Sequence, residues 1–423
     1  MVAAFPVSMV GLDPSIPTGP TAEGVPGVSG ARQPLHLELL GPHGAVPLGF
    51  ASGEGTIFLV ARERSAQWAV NALRDGLARL RLPSGNVSGT VHLVTDAVER
   101  DAALARFREK YGERQYLRWY DHPARVLRVD LARSPASLLD PTAHYYDWLA
   151  SEFDNVAADY DHHITGNRIN LLLRNRSLAE LRRAFAHSPR LLEIGCGSGM
   201  ETLPLLEDGH ELLCVDISDR MLDVVRAKAR AAGFSERLRT RRVRAGELER
   251  VRRELGEGCV DGAYSTYGAL NCEEELDRVP GELHSLLRSG GRFVTAIYNR
   301  WCLFEIVGYT LAGQPRRAFG RSDRPVPVGS SRFCVDVFAY SAPEFRRKFG
   351  PWFTVDRMSA VPVVLPPSDL VGYAEKFARH FDRLAGWDRA LGARWPLRYL
   401  GDHFLLTLAR RDDASHSSTP AAE

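Results

Sequence analysis

Leu191-Leu192-Glu193-Ile194-Gly195-Cys196-Gly197-Ser198-Gly199, with Cys214-Val215-Asp216-Ile217-Ser218 about twenty residues on, decides how this chain reads. An apolar run enters a glycine-rich turn, a helix-length spacer follows, and a second apolar run ends in a carboxylate. That is the layout of an adenosine-binding crevice in a doubly wound α/β sheet, where glycines let the backbone approach a ligand and the carboxylate accepts ribose hydroxyls. The glycines follow G-x-G-x-G, without the last glycine of the dinucleotide fingerprint in its usual place.

Outward from this stretch the pattern alternates. Strands are expected at 191–195, 211–216, 238–243, 261–266 and 291–298, with helices at 200–207, 219–232 and 274–287. Short loops between them argue for a parallel sheet covered on both faces. Helical periodicity at 145–158 and 167–186 precedes the sheet, and late strands at 353–363 and 403–409 can complete it. The segment 301–341 breaks the rhythm. Its aromatic residues Trp301, Phe304, Tyr309, Phe333, Phe338 and Tyr340 suit either a lid over an apolar substrate or ordinary packing of an insertion.

The motifs together resemble class I S-adenosylmethionine (SAM) methyltransferases. Phe153-Asp154-x-x-Ala157-x-x-Tyr160-Asp161 resembles the N-terminal element of the ubiquinone- and menaquinone-biosynthesis type, and Tyr267-Gly268-Ala269-Leu270-Asn271 is similar to a bacterial subgroup of unassigned substrate. The resemblance implies SAM as cofactor and assigns its contacts. Tyr160 covers the cofactor, while Glu193, Gly195, Cys196, Gly197 and Gly199 surround its amino-acid part. Asp216 takes the ribose, and Ile217 and Met221 lie against adenine. Gly246, Glu247 and Leu248 follow the third strand, where an acid meets the adenine amine. Tyr267 and Gly268 form the floor beneath the methyl. Because the sulfonium is already electrophilic, alignment of acceptor and methyl supplies much of the acceleration. A phenol or amine acceptor also needs a base. His162, His163 and Asn271 are the candidates, the last as a positioning group, and no base is assigned. No ligand spacing supports a metal site.

The N-terminal part reads differently. Residues 1–32 are rich in Pro, Gly, Ser and Thr and are expected to be a disordered tail, as are 412–423. Within 33–135, about six short strands and two helices suggest a small, partly closed β-barrel. Ser65-Ala66-Gln67-Trp68-Ala69-Val70-Asn71-Ala72-Leu73-Arg74 is similar to the W-x-x-N-L element of the split β-barrel in deazaflavin- and flavin-dependent nitroreductase-like proteins. That family's basic glycine-rich run is replaced by Gly41-Pro42-His43-Gly44, which weighs against binding of a flavin or deazaflavin phosphate and toward a structural or homodimer-forming role. The methyltransferase part is expected over 136–411, with its lid insertion at about 300–345.

With 423 residues, two domains are the natural division. Hydrophobic content of 44% and charged content of 25% describe a globular chain, and a net charge of +2 gives no support for nucleic acid or an anionic membrane. The six cysteines show no C-x-x-C spacing and read as reduced thiols. With no secretory signal pattern at the N-terminus, a cytoplasmic location is expected. The function expected is methyl transfer from SAM to a small apolar or aromatic metabolite. The alternatives are a bifunctional reductase and methyltransferase with a flavin or deazaflavin in the barrel, or a non-catalytic SAM-binding scaffold.

Overall fold

The structure is a computed structural model that describes residues 36–41, 44–53, 55–63, 66–82, 85–120, 123, 125–131, 141–322, 325–326, 335–368, 370 and 378–412. The expected tails at 1–32 and 412–423 (all but Asp412), the Pro42-His43 turn and Phe333 lie outside these residues. The chain divides into two compact units, Met1–Tyr145 and Tyr146–Glu423.

In the first unit, strands β1 (His36–Gly41), β2 (Gly44–Gly53), β3 (Thr56–Ala61), β4 (Leu77–Leu82), β5 (Gly85–Leu93) and β6 (Arg125–Leu131) form a closed antiparallel barrel in the order β1-β2-β3-β6-β5-β4. The sequence suggested partial closure. Pairing of Glu38–Leu40 in β1 with Arg79–Arg81 in β4 closes it, removing both sheet edges. Strand periodicity shows on β3: Phe58 and Val60 pack with Leu104 and Phe107 of the helix Ala97–Tyr111, while Ile57 and Leu59 on the other face are fully buried. A third helix, Glu113–Tyr120, was not expected. Gly112, at φ +77°, ends the preceding helix, and Tyr116 and Tyr120 then bury one face of the next turn pair.

In the second unit, β7 (Arg190–Ile194), β8 (Glu211–Asp216), β9 (Leu238–Arg242), β10 (Val260–Ser265), β11 (Leu287–Tyr298), β12 (Phe353–Val361) and β13 (His403–Arg410) make one sheet in the order β12-β13-β11-β10-β7-β8-β9. The expected parallel sheet is mixed instead, because β13 runs antiparallel to both β11 and β12. Hydrophobic runs fix that a strand is buried but not which way it points. Both faces are covered. Leu192, Ile194, Leu213 and Val215 meet Val279 and Leu283 on one side, and the alternate residues Leu191, Leu212 and Cys214 meet Leu181, Phe185 and Val225 on the other.

Helix starts fix the turns that face the site. Ser218 Oγ accepts from Met221 N (3.0 Å) and caps the helix Asp219–Ala231. Asn167 caps the helix Arg168–Phe185 by accepting from Ile169 N (2.9 Å). The turn after β7 packs against the first of these helices through Gly199. This residue sits at φ +81°, and an added Cβ would lie 2.0 Å from Val225 Cγ2. Gly199→Ala is therefore expected to cost about 1–3 kcal/mol through overpacking, read as a lower urea midpoint at unchanged slope.

Candidate active site

At the strand ends of β7, β8, β9 and β10 lies a cleft with an empty volume of about 1050 Å³. Its floor is the glycine turn. Gly195 N and Cys196 N both donate to Val215 O (2.7 and 3.2 Å), tying the turn to the end of β8. Gly195, at φ +73°, passes so close to the loop after β10 that a Cβ would stand 2.1 Å from Ala269 Cβ. By contrast, the space in front of Gly197 holds only the Tyr160 ring, 3.8 Å from where a Cβ would be.

Asp216 ends β8 on the cleft wall. Its Oδ2 accepts from Gly197 N (2.8 Å) and its Oδ1 from Ser218 N (2.9 Å), so the carboxylate is fixed by backbone on both sides. Burial pushes its pKa up to about 6, against the lowering effect of those amide hydrogen bonds. Each oxygen keeps acceptor capacity for a further donor.

Two charged clusters complete the wall. Arg174, from the helix Arg168–Phe185, donates to both oxygens of Glu201 (2.7 and 2.5 Å) and lies 4.9 Å over the ring of Tyr267. Tyr267 has φ +57°, unusual for a tyrosine and costing about 1–3 kcal/mol. Its hydroxyl shares a 2.6 Å hydrogen bond with Ser177. Across the cleft, Tyr146 donates to Glu273, which also accepts from Arg244 Nη1 (2.8 Å), Glu275 N (3.0 Å) and Gly246 N (2.7 Å). The Arg244 guanidinium lies 3.9 Å over the Tyr146 ring.

Of the residues singled out from sequence, Tyr160, Gly195, Cys196, Gly197, Asp216, Ile217, Met221, Tyr267 and Gly268 line the cleft. The others stand elsewhere. Glu193 is buried under the turn, accepting from Thr202 Oγ1 (2.5 Å) and Cys214 Sγ (3.3 Å), and burial pushes its pKa up to about 8. Gly199 supports the turn from behind through Val225. Gly246 meets Glu273, and Leu248 is fully buried in the core. Glu247 does not reach the cleft, because the 3-10 turn Ala245–Glu247 carries its carboxylate outward to Arg250 (3.2 Å) and Arg244 (3.6 Å).

Of the base candidates, His162 and Asn271 do not line the cleft. His162 is exposed, and the side chain of His163 lies outside the described residues. Asn271 is wholly buried and clamps backbone: Nδ2 donates to Phe338 O (2.8 Å) and Tyr298 O (3.3 Å), and Oδ1 accepts from Tyr298 N (3.0 Å). Among the described residues no cluster of His, Cys, Asp and Glu could hold a metal ion. From the insertion, Val335 and Val337 line the cleft, whereas Phe338 and Tyr340 join the core and Trp301 packs edge-on against Phe319.

Arg174, Glu201, Arg244, Glu273 and Tyr146 were not singled out from sequence. Tyr146 carried a usable signal: with Leu149 and Phe153 it forms an apolar helical stripe at i, i+3, i+7, which lines the cleft. Nothing local in the sequence marks Arg174 and Glu273, whose partners arrive from other elements.

Residues 192–295 match the family described as "Methyltransferase domain". The match runs from within β7 to within β11, and the sheet, with its one reversed strand β13, takes in a wider span of the second unit. The chain is similar to a sterol 4-C-methyltransferase of Caenorhabditis elegans, 25% identical over 162 residues, which are 37% of this chain and 46% of that protein. It thus spans less than half the length of that curated relative. Among solved structures, it is similar to 1,6-didemethyltoxoflavin-N1-methyltransferase of Burkholderia thailandensis, at 20% identity and TM-score 0.40 over 66% of this chain and 94% of that one. It is likewise similar to geranyl diphosphate C-methyltransferase of Streptomyces coelicolor A3(2), at 15% identity and TM-score 0.37 over 56% of this chain and 77% of that one. Among the described residues no helix is long and apolar enough to cross a membrane.

Proposed function

We propose that the methyltransferase domain binds SAM across the ends of β7 and β8 and transfers its methyl group to a small acceptor that is largely apolar or aromatic. The observation that carries this reading is Asp216, a carboxylate fixed between Gly197 N and Ser218 N with acceptor capacity turned to two hydroxyls. A dinucleotide needs its pyrophosphate at the turn; here that space is covered by the Tyr160 ring, and the nearby charges are the Arg174–Glu201 pair.

Arg174 and Glu201 offer opposite charges to the carboxylate and ammonium of the amino-acid part. Ile217 and Met221 would supply apolar surface to the purine, and the left-handed turn at Tyr267-Gly268 would face the methyl. Leu149, Phe153, Met200, Val335 and Val337 make the remaining wall, which suits an acceptor with little charge. These residues hold the acceptor in line with the carbon–sulfur bond and exclude water, and the methyl group moves from sulfonium to acceptor as the thioether leaves.

Calorimetric titration of the full chain with SAM is expected to show saturable one-site binding. The absence of heat at millimolar SAM would sink the reading. Incubation with methyl-labelled SAM and fractionated metabolites, followed by label, then identifies the acceptor class.

A further inference from the structure

The turn after β9 presents no acid of its own to the cleft. Glu247 points outward to Arg250, and position 246 is a glycine. Yet a carboxylate stands there. A Cβ added at Gly246 would lie 2.3 Å from Arg244 Nη1 and 3.0 Å from both the carboxyl carbon and Oε1 of Glu273, and Gly246 N donates to Glu273 Oε2 at 2.7 Å. The loop after β10 thus brings its carboxylate, together with the Arg244 guanidinium that pairs with it, against the space a side chain at position 246 would occupy.

We propose that Glu273 is the acceptor for the exocyclic amine of the cofactor's purine, and so the residue that makes this cleft specific for adenosine. The proposal rests on the SAM reading above. In the order β10-β7-β8-β9, the glycine turn ends β7 and the ribose carboxylate ends β8. A nucleoside laid across those ends carries its base toward the end of β9, where Val243, Arg244 and Ala245 line the cleft.

Among the cleft-lining residues described, three are acidic: Glu201, Asp216 and Glu273. Glu201, paired with Arg174, faces the amino-acid part of the cofactor in the reading above, and Asp216 faces the ribose. Glu273 remains, and its two oxygens differ. Oε1 takes Tyr146, Arg244 and Glu275 N, whereas Oε2 takes Gly246 N and keeps a lone pair for another donor. The contacts at Oε1 orient the carboxylate, and a buried acceptor held this way discriminates sharply against a ligand lacking the donor.

The test compares S-adenosylhomocysteine with its deaminated form, S-inosylhomocysteine, by calorimetry on the full chain. Deamination turns the amine into a carbonyl oxygen, which would face the carboxylate lone pair. The expected preference for the adenosyl compound is about 100-fold or more. In Glu273→Gln the amide can turn its NH2 toward that carbonyl, so the preference should fall to within about threefold or invert, an exchange a merely structural role would not produce.

Gly246→Ala, whose methyl pushes Arg244 Nη1 off Glu273 and crowds the carboxylate, should erode the preference in the same direction and carries the test if Glu273→Gln fails to fold. Glu247→Gln should keep the full preference. Equal binding of both compounds by the unaltered chain, or an undiminished preference in both Glu273→Gln and Gly246→Ala, would overturn the assignment while leaving SAM binding intact. Failure of the unaltered chain to bind S-adenosylhomocysteine at all would instead overturn the cofactor reading, and this assignment with it.

Discussion

Asp216→Ala is expected to weaken SAM binding by on the order of 100-fold, about 3 kcal/mol, because two ribose hydroxyls lose a charged acceptor. The methyl-sized side chain also frees Gly197 N and Ser218 N, which the carboxylate now holds at 2.8 and 2.9 Å. Part of the loss therefore comes from a slackened glycine turn. Asp216→Asn separates the two contributions. An amide can satisfy one backbone donor but turns its own NH2 toward the other, so it should recover little. Titration with SAM gives the affinity, and the urea midpoint of the unliganded chain gives the cost to the turn. An affinity in Asp216→Ala within about twofold of the unaltered chain would mean the ribose lies elsewhere.

The same carboxylate sets a pH dependence with two opposed signs. Burial holds Asp216 at about 6 in the folded chain, above the ordinary value of 3.8. Between those values the folded state binds more protons than the unfolded state. Stability of the unliganded chain therefore falls as pH rises through that window and levels off above it. Glu193, raised to about 8 by burial, extends the decline through neutrality. Cofactor affinity runs the other way, because only the ionised Asp216 accepts from both hydroxyls, and it strengthens as pH rises through about 6. Opposite slopes in urea unfolding and SAM titration over the same buffers are the expected pair of results.

The parts of this site that could be read directly from the sequence are those written contiguously. Gly195, Gly197 and Asp216 announce themselves because a strand end and its following turn are adjacent in the chain, and backbone conformation restricts which residues fit. The six barrel strands were legible for the same reason, each being a short run between turn residues. Contributions assembled across elements were not. Glu273 occupies the place beside Gly246 from a loop following a different strand, and Arg174 reaches Glu201 from the preceding helix. Asn271 misled in a related way: its position after β10 suggested a role toward substrate, but its amide is consumed by the backbone of Tyr298 and Phe338. The direction of β13 was equally hidden, since burial on both faces makes a strand apolar whichever way it runs.

Removal of the Arg321 side chain is expected to be the most damaging single change in the second unit. Arg321 is 4% exposed and leaves the insertion to enter a polar cage at the end of the sheet. It donates to both oxygens of Glu305 (2.8 and 2.6 Å), to Asp402 Oδ1 (2.7 Å) and to the carbonyls of Asn299 and Asp402 (3.1 Å each), with the Tyr298 ring 4.0 Å away. Arg321→Ala strands two buried carboxylates and should cost about 3–5 kcal/mol. Arg321→Met fills most of the volume and should recover little of it, whereas Arg321→Met with Glu305→Leu removes one stranded charge and should recover more. The pH dependence distinguishes a lost ion pair from lost packing. In the unaltered chain, His403 and Arg321 hold the Asp402 carboxyl well below its ordinary range against the cost of burial. Its contribution to stability is therefore present above the unfolded pKa and lost as pH falls through the folded one. Without Arg321 the Asp402 carboxylate loses one of the two cations that lower it, and burial then favours its protonated form in the folded state. The deficit of Arg321→Ala in urea unfolding should therefore narrow between about pH 8 and about pH 5. A deficit that stays constant across that range would assign the loss to packing against Tyr298 instead.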